Sequence, residues 1–147
     1  MELLNNIWNA LSTPNESLLT IISSPLTFLE VYLMMTLFLL ILKIETTFQQ
    51  KTTYIILASV VSLLTKYLIP SPYNVFINYV LLFIIIYFLF KQSYLKTLLA
   101  VVCPSLIFGL IGILILNPYL NLLNITYEQS ETIPIYRILH MLIVYAF

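Results

Sequence analysis

The sequence is poor in charge, in glycine and in cysteine. Only 8% of its 147 residues are charged and 61% are hydrophobic, whereas soluble domains carry about 25% charged residues. This composition disfavours a water-soluble fold. The six basic residues balance the six acidic ones, so no basic surface indicates a nucleic-acid partner.

The same scarcity argues against several kinds of chemical site. Cys103 has no second cysteine with which to form an intrachain disulfide or a thiolate metal site. The single histidine cannot complete a His-Glu-x-x-His zinc motif, and Gly109 and Gly112 stand in an apolar helix rather than a phosphate-binding loop. No Ser/His/Asp set lies within reach. We therefore expect no catalysis, no metal and no cofactor in this chain.

Long apolar segments dominate what is present. An outer-membrane barrel would alternate apolar and polar residues over about ten positions, but the run 80–90 does not alternate. About 20 helical residues cross a hydrocarbon core of about 30 Å, and the chain is punctuated at about that interval. The sequence predicts an all-α polytopic membrane bundle of about five transmembrane helices. The spans lie near 25–43, 52–69, 73–90, 95–116 and 134–147.

The N-terminal residues 1–24 are predicted to form an interfacial segment outside the membrane, ahead of a transmembrane domain over 25–147. Because Ser24-Pro25 is a favourable N-cap and first-position pair, we expect the first membrane helix to start or kink at Pro25. The last span has about 14 residues, would reach only about 21 Å, and looks cut short at Phe147. An interfacial helix is indicated by apolar residues at helical spacing: Leu3, Leu4, Ile7, Trp8 and Leu11.

Lysines indicate the orientation of the predicted spans. Two short connections, 44–51 and 91–94, are flanked by lysines, and the other connections contain none. By the positive-inside rule the lysine-flanked connections are cytoplasmic. We therefore predict a multi-pass cell-membrane protein with its N-terminus outside and its C-terminus in the cytoplasm. The flanking lysines are Lys43, Lys51, Lys91 and Lys96.

Polar side chains within the predicted spans share one depth. An intramembrane charge costs about 2.5–3.5 kcal/mol on insertion scales, so it needs a partner, a cavity or the interface. Counting 1.5 Å per residue places Glu30 and Lys66 about 20 Å above the inner boundary. His140 and Asn78 fall at about the same level, with Arg137 one turn above His140. These five residues are the candidate ligand-binding set.

This polar layer has two interpretations. In the functional one, Glu30 and Lys66 pair in an outward-facing pocket that binds a small or peptidic ligand. In the structural one, Lys66 extends to the interface, its contact with Glu30 joins two helices, and Asn78 and His140 supply interhelical hydrogen bonds. Each residue taken singly fits the structural interpretation better, whereas their shared depth favours the pocket.

Three stretches carry a resemblance to a known family. They are 22–30, 69–78, and 116–124 together with 133–137. They resemble the N-terminal membrane region of clostridial-type GHKL sensor histidine kinases, the group that includes AgrC-like peptide-pheromone receptors. The likeness covers nearly the whole chain and rests on hydrophobic motifs.

The resemblance implies a function in two-component signal transduction, such as quorum sensing. In that family a polytopic sensor detects an extracellular signal and drives a dimeric cytoplasmic kinase. This chain would be the signal-input region. Its partners would be the lipid bilayer, an extracellular peptide or small-molecule signal, and a second copy in a homodimer. It contains no ATP-binding motif, and His140 lies in a predicted membrane helix, so His140 is not expected to be the phosphoacceptor.

Two other functions also fit the sequence. A small transporter subunit or substrate-binding component is one, although the chain lacks the pair of Gly/Pro-broken helices typical of transporters. A non-catalytic anchor or accessory subunit is the other, and only the charges within the spans argue against it. Uptake measurements separate the transporter from the sensor.

Overall fold

The fold is described from a computed structural model that covers residues 2–146, with side chains at positions 2, 3, 16, 17, 20 and 23 left out. Within this range it has seven helices and no strand, which confirms the all-α prediction. The side chain of Leu3 and the end of the last predicted span, Phe147, lie outside the described residues. The helices are α1 (Glu2–Ser12), α2 (Glu16–Leu42), α3 (Phe48–Leu68), α4 (Tyr73–Phe90), α5 (Tyr94–Leu123), α6 (Tyr127–Thr132) and α7 (Pro134–Ala146).

Three of these helices are long and apolar enough to cross a membrane. They are the segment Ser24–Leu42 of α2, all of α4, and α5. A membrane location therefore fits the structure. Helix α3 is less apolar because it carries lysines, glutamines and hydroxyl side chains, and α7 has only 13 residues. The predicted number of about five spans is not confirmed.

Helix α2 starts well before Pro25, although its candidate membrane segment, Ser24–Leu42, begins next to that proline, and the predicted kink stays a prediction. Helix α2 begins at Glu16 and continues through Pro25. The reason is a cap at Asn15, whose side-chain oxygen accepts from the Leu18 N–H and whose carbonyl accepts from the Leu19 N–H, each at 3.0 Å. Because this cap starts the helix well before Pro25, the proline lies inside the helix, which continues although proline has no N–H to donate to the preceding turn.

Helix α5 is longer than its predicted span. It continues through Pro118 to Leu123 and ends where Asn124 adopts a left-handed backbone with φ of 53°. The predicted connection 117–133 is consequently much shorter, and most of it is helical. Asparagine tolerates the left-handed region better than most residues, which explains the end of the helix at this position.

Helix α6 was not predicted, although its start has a readable signal. Thr126 and Gln129 form a capping box, in which each side chain bonds the backbone N–H of the other residue. This pattern is a known N-terminal signature of helices. The short helix is followed by Pro134, which is fully buried.

The chain divides into two compact units, which we describe separately. The central unit is Thr27–Ile107, and the terminal unit combines Met1–Leu26 with Phe108–Phe147. Helices α2 and α5 contribute residues to both. In the terminal unit, α1 is helical as predicted and exposes Leu4 and Trp8.

The core of the central unit is built around three aromatic rings. Phe38, Tyr54 and Phe90 come from α2, α3 and α4, and each is at most 5% exposed. Their ring centroids lie 5.6–5.7 Å apart, with two of the three pairs edge to face. Such pairs gain about 0.5–1.5 kcal/mol beyond the area they bury. We call these three residues the aromatic cluster.

Two hydrogen bonds hold α3 antiparallel to α4. Gln50 Nε2 donates to the Leu89 carbonyl at 3.0 Å, and Ser62 Oγ donates to Asn78 Oδ1 at 3.1 Å. The two bonds are about 18 Å apart along α3. The helices are therefore paired over most of their length.

Helix α3 exposes both apolar and charged side chains. Ile56, Leu64, Leu68 and Lys66 are exposed, whereas Tyr54, Ala58, Ser59 and Thr65 are buried. The exposed leucine and isoleucine side chains are compatible with contact to lipid.

Candidate functional site

Three predicted site residues lie in the central unit. Asn78 accepts the Ser62 hydroxyl across the α3–α4 interface, which is the role that the structural interpretation gave it. Glu30 is partly buried on α2 and Lys66 is exposed on α3. The pairing of Glu30 with Lys66 stays a prediction.

Arg137, in the terminal unit, forms an ion pair with Glu131. Its Nη1 lies 3.1 Å from Glu131 Oε2 and also donates to the Glu131 carbonyl at 3.3 Å. Both side chains are about one-third exposed, so this pair contributes little stability. Its geometric effect is to connect the end of α6 to the first turn of α7.

His140 packs against Tyr119 within the same unit. The two rings are stacked, with centroids 5.2 Å apart and planes inclined by 29°. The Tyr119 hydroxyl donates to the backbone carbonyl of Tyr136, which lies one turn before His140 on α7. Tyr119 is almost fully buried. Ring stacking and hydrogen bond together fix α7 against the C-terminal part of α5.

The Nε2 atom of His140 is buried and has no hydrogen-bond partner among the described residues. A buried polar atom left unsatisfied costs about 1–3 kcal/mol. A neutral imidazole nitrogen can either donate or accept, depending on the tautomer. This atom is therefore a point at which a hydrogen-bonding group from a ligand would be stabilised. We call His140 and Tyr119 the histidine–tyrosine pair.

The predicted set is divided between the two units. Glu30, Lys66 and Asn78 belong to the central unit, whereas Arg137 and His140 belong to the terminal unit. A single pocket formed by all five residues remains a prediction.

Sequence reasoning missed two partners that the structure supplies. Ser62 is the partner of Asn78, and Tyr119 is the ring under His140. A small hydroxyl residue inside an apolar helix was the available signal for Ser62. A tyrosine directly after Pro118 was the available signal for Tyr119, since a buried tyrosine needs a hydrogen-bond acceptor.

A metal site has no support in the part of the chain that the structure describes. No group of three or more His, Cys, Asp or Glu side chains is assembled there. Cys103 is a free, partly buried thiol on α5. Comparisons with known proteins identify no relative, because no family model, no curated protein and no solved structure matches the chain.

Proposed function

We propose that this chain is the membrane-embedded signal-input region of a sensor histidine kinase, which receives an extracellular or membrane-borne signal and passes it inward. The observation that carries the proposal is the unsatisfied Nε2 of His140, held in place by the Tyr119 ring. A ligand group bonded to that nitrogen would remove a cost of about 1–3 kcal/mol. The conformation that presents the nitrogen best would then gain population.

In this proposal α3 is also a membrane span, the second of five in chain order. Its 21 residues make a helix about 31 Å long, enough for the hydrocarbon core. The bonds Gln50–Leu89 and Ser62–Asn78 hold it beside α4, which is itself apolar enough to cross. Because α3 and α4 lie side by side over most of their length, α3 would cross the membrane wherever α4 does. Helix α7 is the fifth, shorter span.

The proposed orientation places the lysine-rich helix ends in the cytoplasm. Lys43 and Lys91 end α2 and α4, and Lys51 and Lys96 lie in the first turns of α3 and α5. All four side chains are exposed. The positive-inside rule supports this orientation.

Signal transfer would begin at helix α7. This helix carries both contacts to Tyr119, the carbonyl of Tyr136 and the ring of His140. A ligand that bonds His140 changes the balance of these two contacts. Helix shifts of about 1–2 Å are a common output of such rearrangements.

Sequencing the transcript beyond the Phe147 codon tests the kinase part of the proposal. An in-frame continuation into a linker helix and a nucleotide-binding module supports it. A stop codon at that position, with no kinase gene beside it, overturns the kinase part.

The ligand role of His140 has a direct spectroscopic test, because the chain contains one histidine. Protein labelled with ¹⁵N-histidine gives a single imidazole spin system, which is followed while peptide fractions from the spent medium of the source organism are added. We expect one fraction to shift the imidazole signals, and the same fraction digested with proteinase to leave them unchanged. If no fraction shifts them, His140 is not a contact for a secreted peptide.

Orientation is tested by cysteine labelling in a Cys103→Ser background. Ser71 and Ser93 are exposed, and the proposal puts their connections on opposite sides of the membrane. Each is replaced by cysteine in turn, as Ser71→Cys and Ser93→Cys. An impermeant maleimide should label Ser71→Cys on intact cells and Ser93→Cys only after permeabilisation. The reverse pattern would overturn the proposed orientation.

A further inference from the structure

A groove of about 480 Å³ runs between α4 and α5 in the central unit. Its wall on α4 includes Phe76 and Phe83, and its wall on α5 extends from Tyr94 to Leu106. At one end the rings of Phe83 and Tyr94 meet edge to face, with centroids 5.1 Å apart. The Ser105 hydroxyl in the wall donates to the Val101 carbonyl. The hydroxyl hydrogen of Ser105 is therefore bonded within α5 and is not available to an occupant of the groove.

The groove has the environment and the length for a hydrocarbon chain. Both helices that form it are long and apolar enough to cross a membrane. The α5 wall is about 18 Å long, which is slightly more than the depth of one leaflet of the hydrocarbon core, about 15 Å.

The groove is narrow for a helix. A helix about 10 Å wide occupies roughly 1,400 Å³ over the same length, about three times the volume of the groove. A single extended chain would fit inside the groove, whereas a helix could place only one face in it.

The positive charge of the central unit indicates that a lipid bound there has an anionic headgroup. All five lysines of the protein lie between residues 27 and 107, with two glutamates, giving this unit a formal charge of +3. Lys91 is exposed in the connection that joins the two walls of the groove. Lys96 is two residues from both Tyr94 and Leu98, so it lies on the opposite face of α5 from the groove.

We propose that the α4–α5 groove binds one acyl chain of an anionic glycerophospholipid, whose headgroup is held by Lys91. The inference does not depend on the signal-input proposal, because the histidine–tyrosine pair belongs to the other unit. It concerns a bilayer lipid rather than a signal.

Quenching by brominated lipids tests this proposal in the full-length chain. Trp8 is the one native tryptophan, so Trp8→Phe gives a silent background. Phe76→Trp places a reporter at the rim of the groove, where Phe76 is 71% exposed. Leu64→Trp is the matched control, because Leu64 is 50% exposed on the outer face of α3. The Ser62–Asn78 bond places both reporters at a similar depth.

The probes are phosphatidylcholine vesicles containing either brominated-chain phosphatidylglycerol or brominated-chain phosphatidylcholine. One lysine near the membrane surface raises the affinity for an anionic lipid over a zwitterionic one about fivefold. At the groove reporter we expect about fivefold stronger relative binding of the anionic lipid. At the control reporter the two lipids should quench equally. Lys91→Gln should abolish the preference, whereas Lys91→Arg and Lys96→Gln should retain it.

Three results would overturn the proposal. Equal quenching by the two lipids at the groove reporter would mean that bulk lipid fills the groove. Absence of quenching by either lipid would mean that another polypeptide, such as a second copy, covers it. Displacement of the brominated phospholipid by equimolar oleate would assign the groove to free fatty acids instead.

Discussion

The central and terminal units differ in charge and in the chemistry of their interiors. The central unit carries five lysines and two glutamates, whereas the terminal unit carries four glutamates and the single arginine, so their formal charges are +3 and −3. The central unit is built around the aromatic cluster. The terminal unit is built around a histidine–tyrosine pair with one unsatisfied nitrogen.

This difference separates stability from recognition. Phe38, Tyr54 and Phe90 bury three rings against one another, so nothing in the cluster gains from a ligand. His140 is stacked equally closely but keeps a polar atom without a partner. Ser59 Oγ in the central unit is also buried without a partner among the described residues, so the contrast is between the aromatic cluster and the histidine–tyrosine pair, and not between the two whole interiors.

The largest effect on stability should come from removing one ring of the aromatic cluster. Phe38→Ala removes the most deeply buried ring, and we expect the free energy of unfolding to fall by about 3 kcal/mol because a cavity remains. Equilibrium unfolding in mixed micelles, followed by circular dichroism, measures it. Phe28→Ala is the matched control on the same helix, since Phe28 is 42% exposed. Equal losses in the two variants would show that the cluster is not the core.

Converting the histidine–tyrosine pair into a pair of rings without an unsatisfied nitrogen should have the next largest effect. His140→Phe keeps the ring on Tyr119 and removes the unsatisfied nitrogen. We expect the unfolding free energy to rise by about 1–2 kcal/mol. His140→Gln, which keeps polar atoms in the same position, should bring no such gain. A clear loss of stability in His140→Phe would mean that Nε2 has a partner in the folded protein.

Removing one hydroxyl should lower the stability of the terminal unit without leaving a cavity. Tyr119→Phe deletes the donor to the Tyr136 carbonyl and preserves the ring. The expected loss is about 1 kcal/mol, measured in the same micelles. Tyr73→Phe is the control, because Tyr73 is exposed at the start of α4. If both variants lose the same amount, the hydroxyl of Tyr119 has no specific role.

The smallest effect should come from the polar contact within the central unit. A double-mutant cycle of Ser62→Ala and Asn78→Ala isolates the hydrogen bond between α3 and α4. Such bonds in membrane bundles average about 0.6 kcal/mol, and we expect a coupling of that size. Strictly additive losses would contradict the pairing that places α3 beside α4.

Helix positions could be predicted from the sequence better than helix contacts. The span 73–90 coincides with α4 because prolines and a lysine bound it. The starts of α2 and α6 depend on the caps at Asn15 and Thr126, which a hydropathy count does not register. Contacts such as Tyr119 with His140 depend on the rotation of each helix about its axis. A helix that is apolar on all sides carries almost no pattern that fixes this rotation.

The length of α5 has a consequence for how the protein meets its bilayer. Its 30 residues measure about 45 Å, against a hydrocarbon core of about 30 Å. Tilt alone would have to approach 48°, beyond the usual range of about 0–40°. In a bilayer that α5 crosses, part of the helix would therefore extend into the headgroup layer. A thinner or thicker bilayer would change how much of α5 emerges, and with it the immersion of Tyr119 near its C-terminal end.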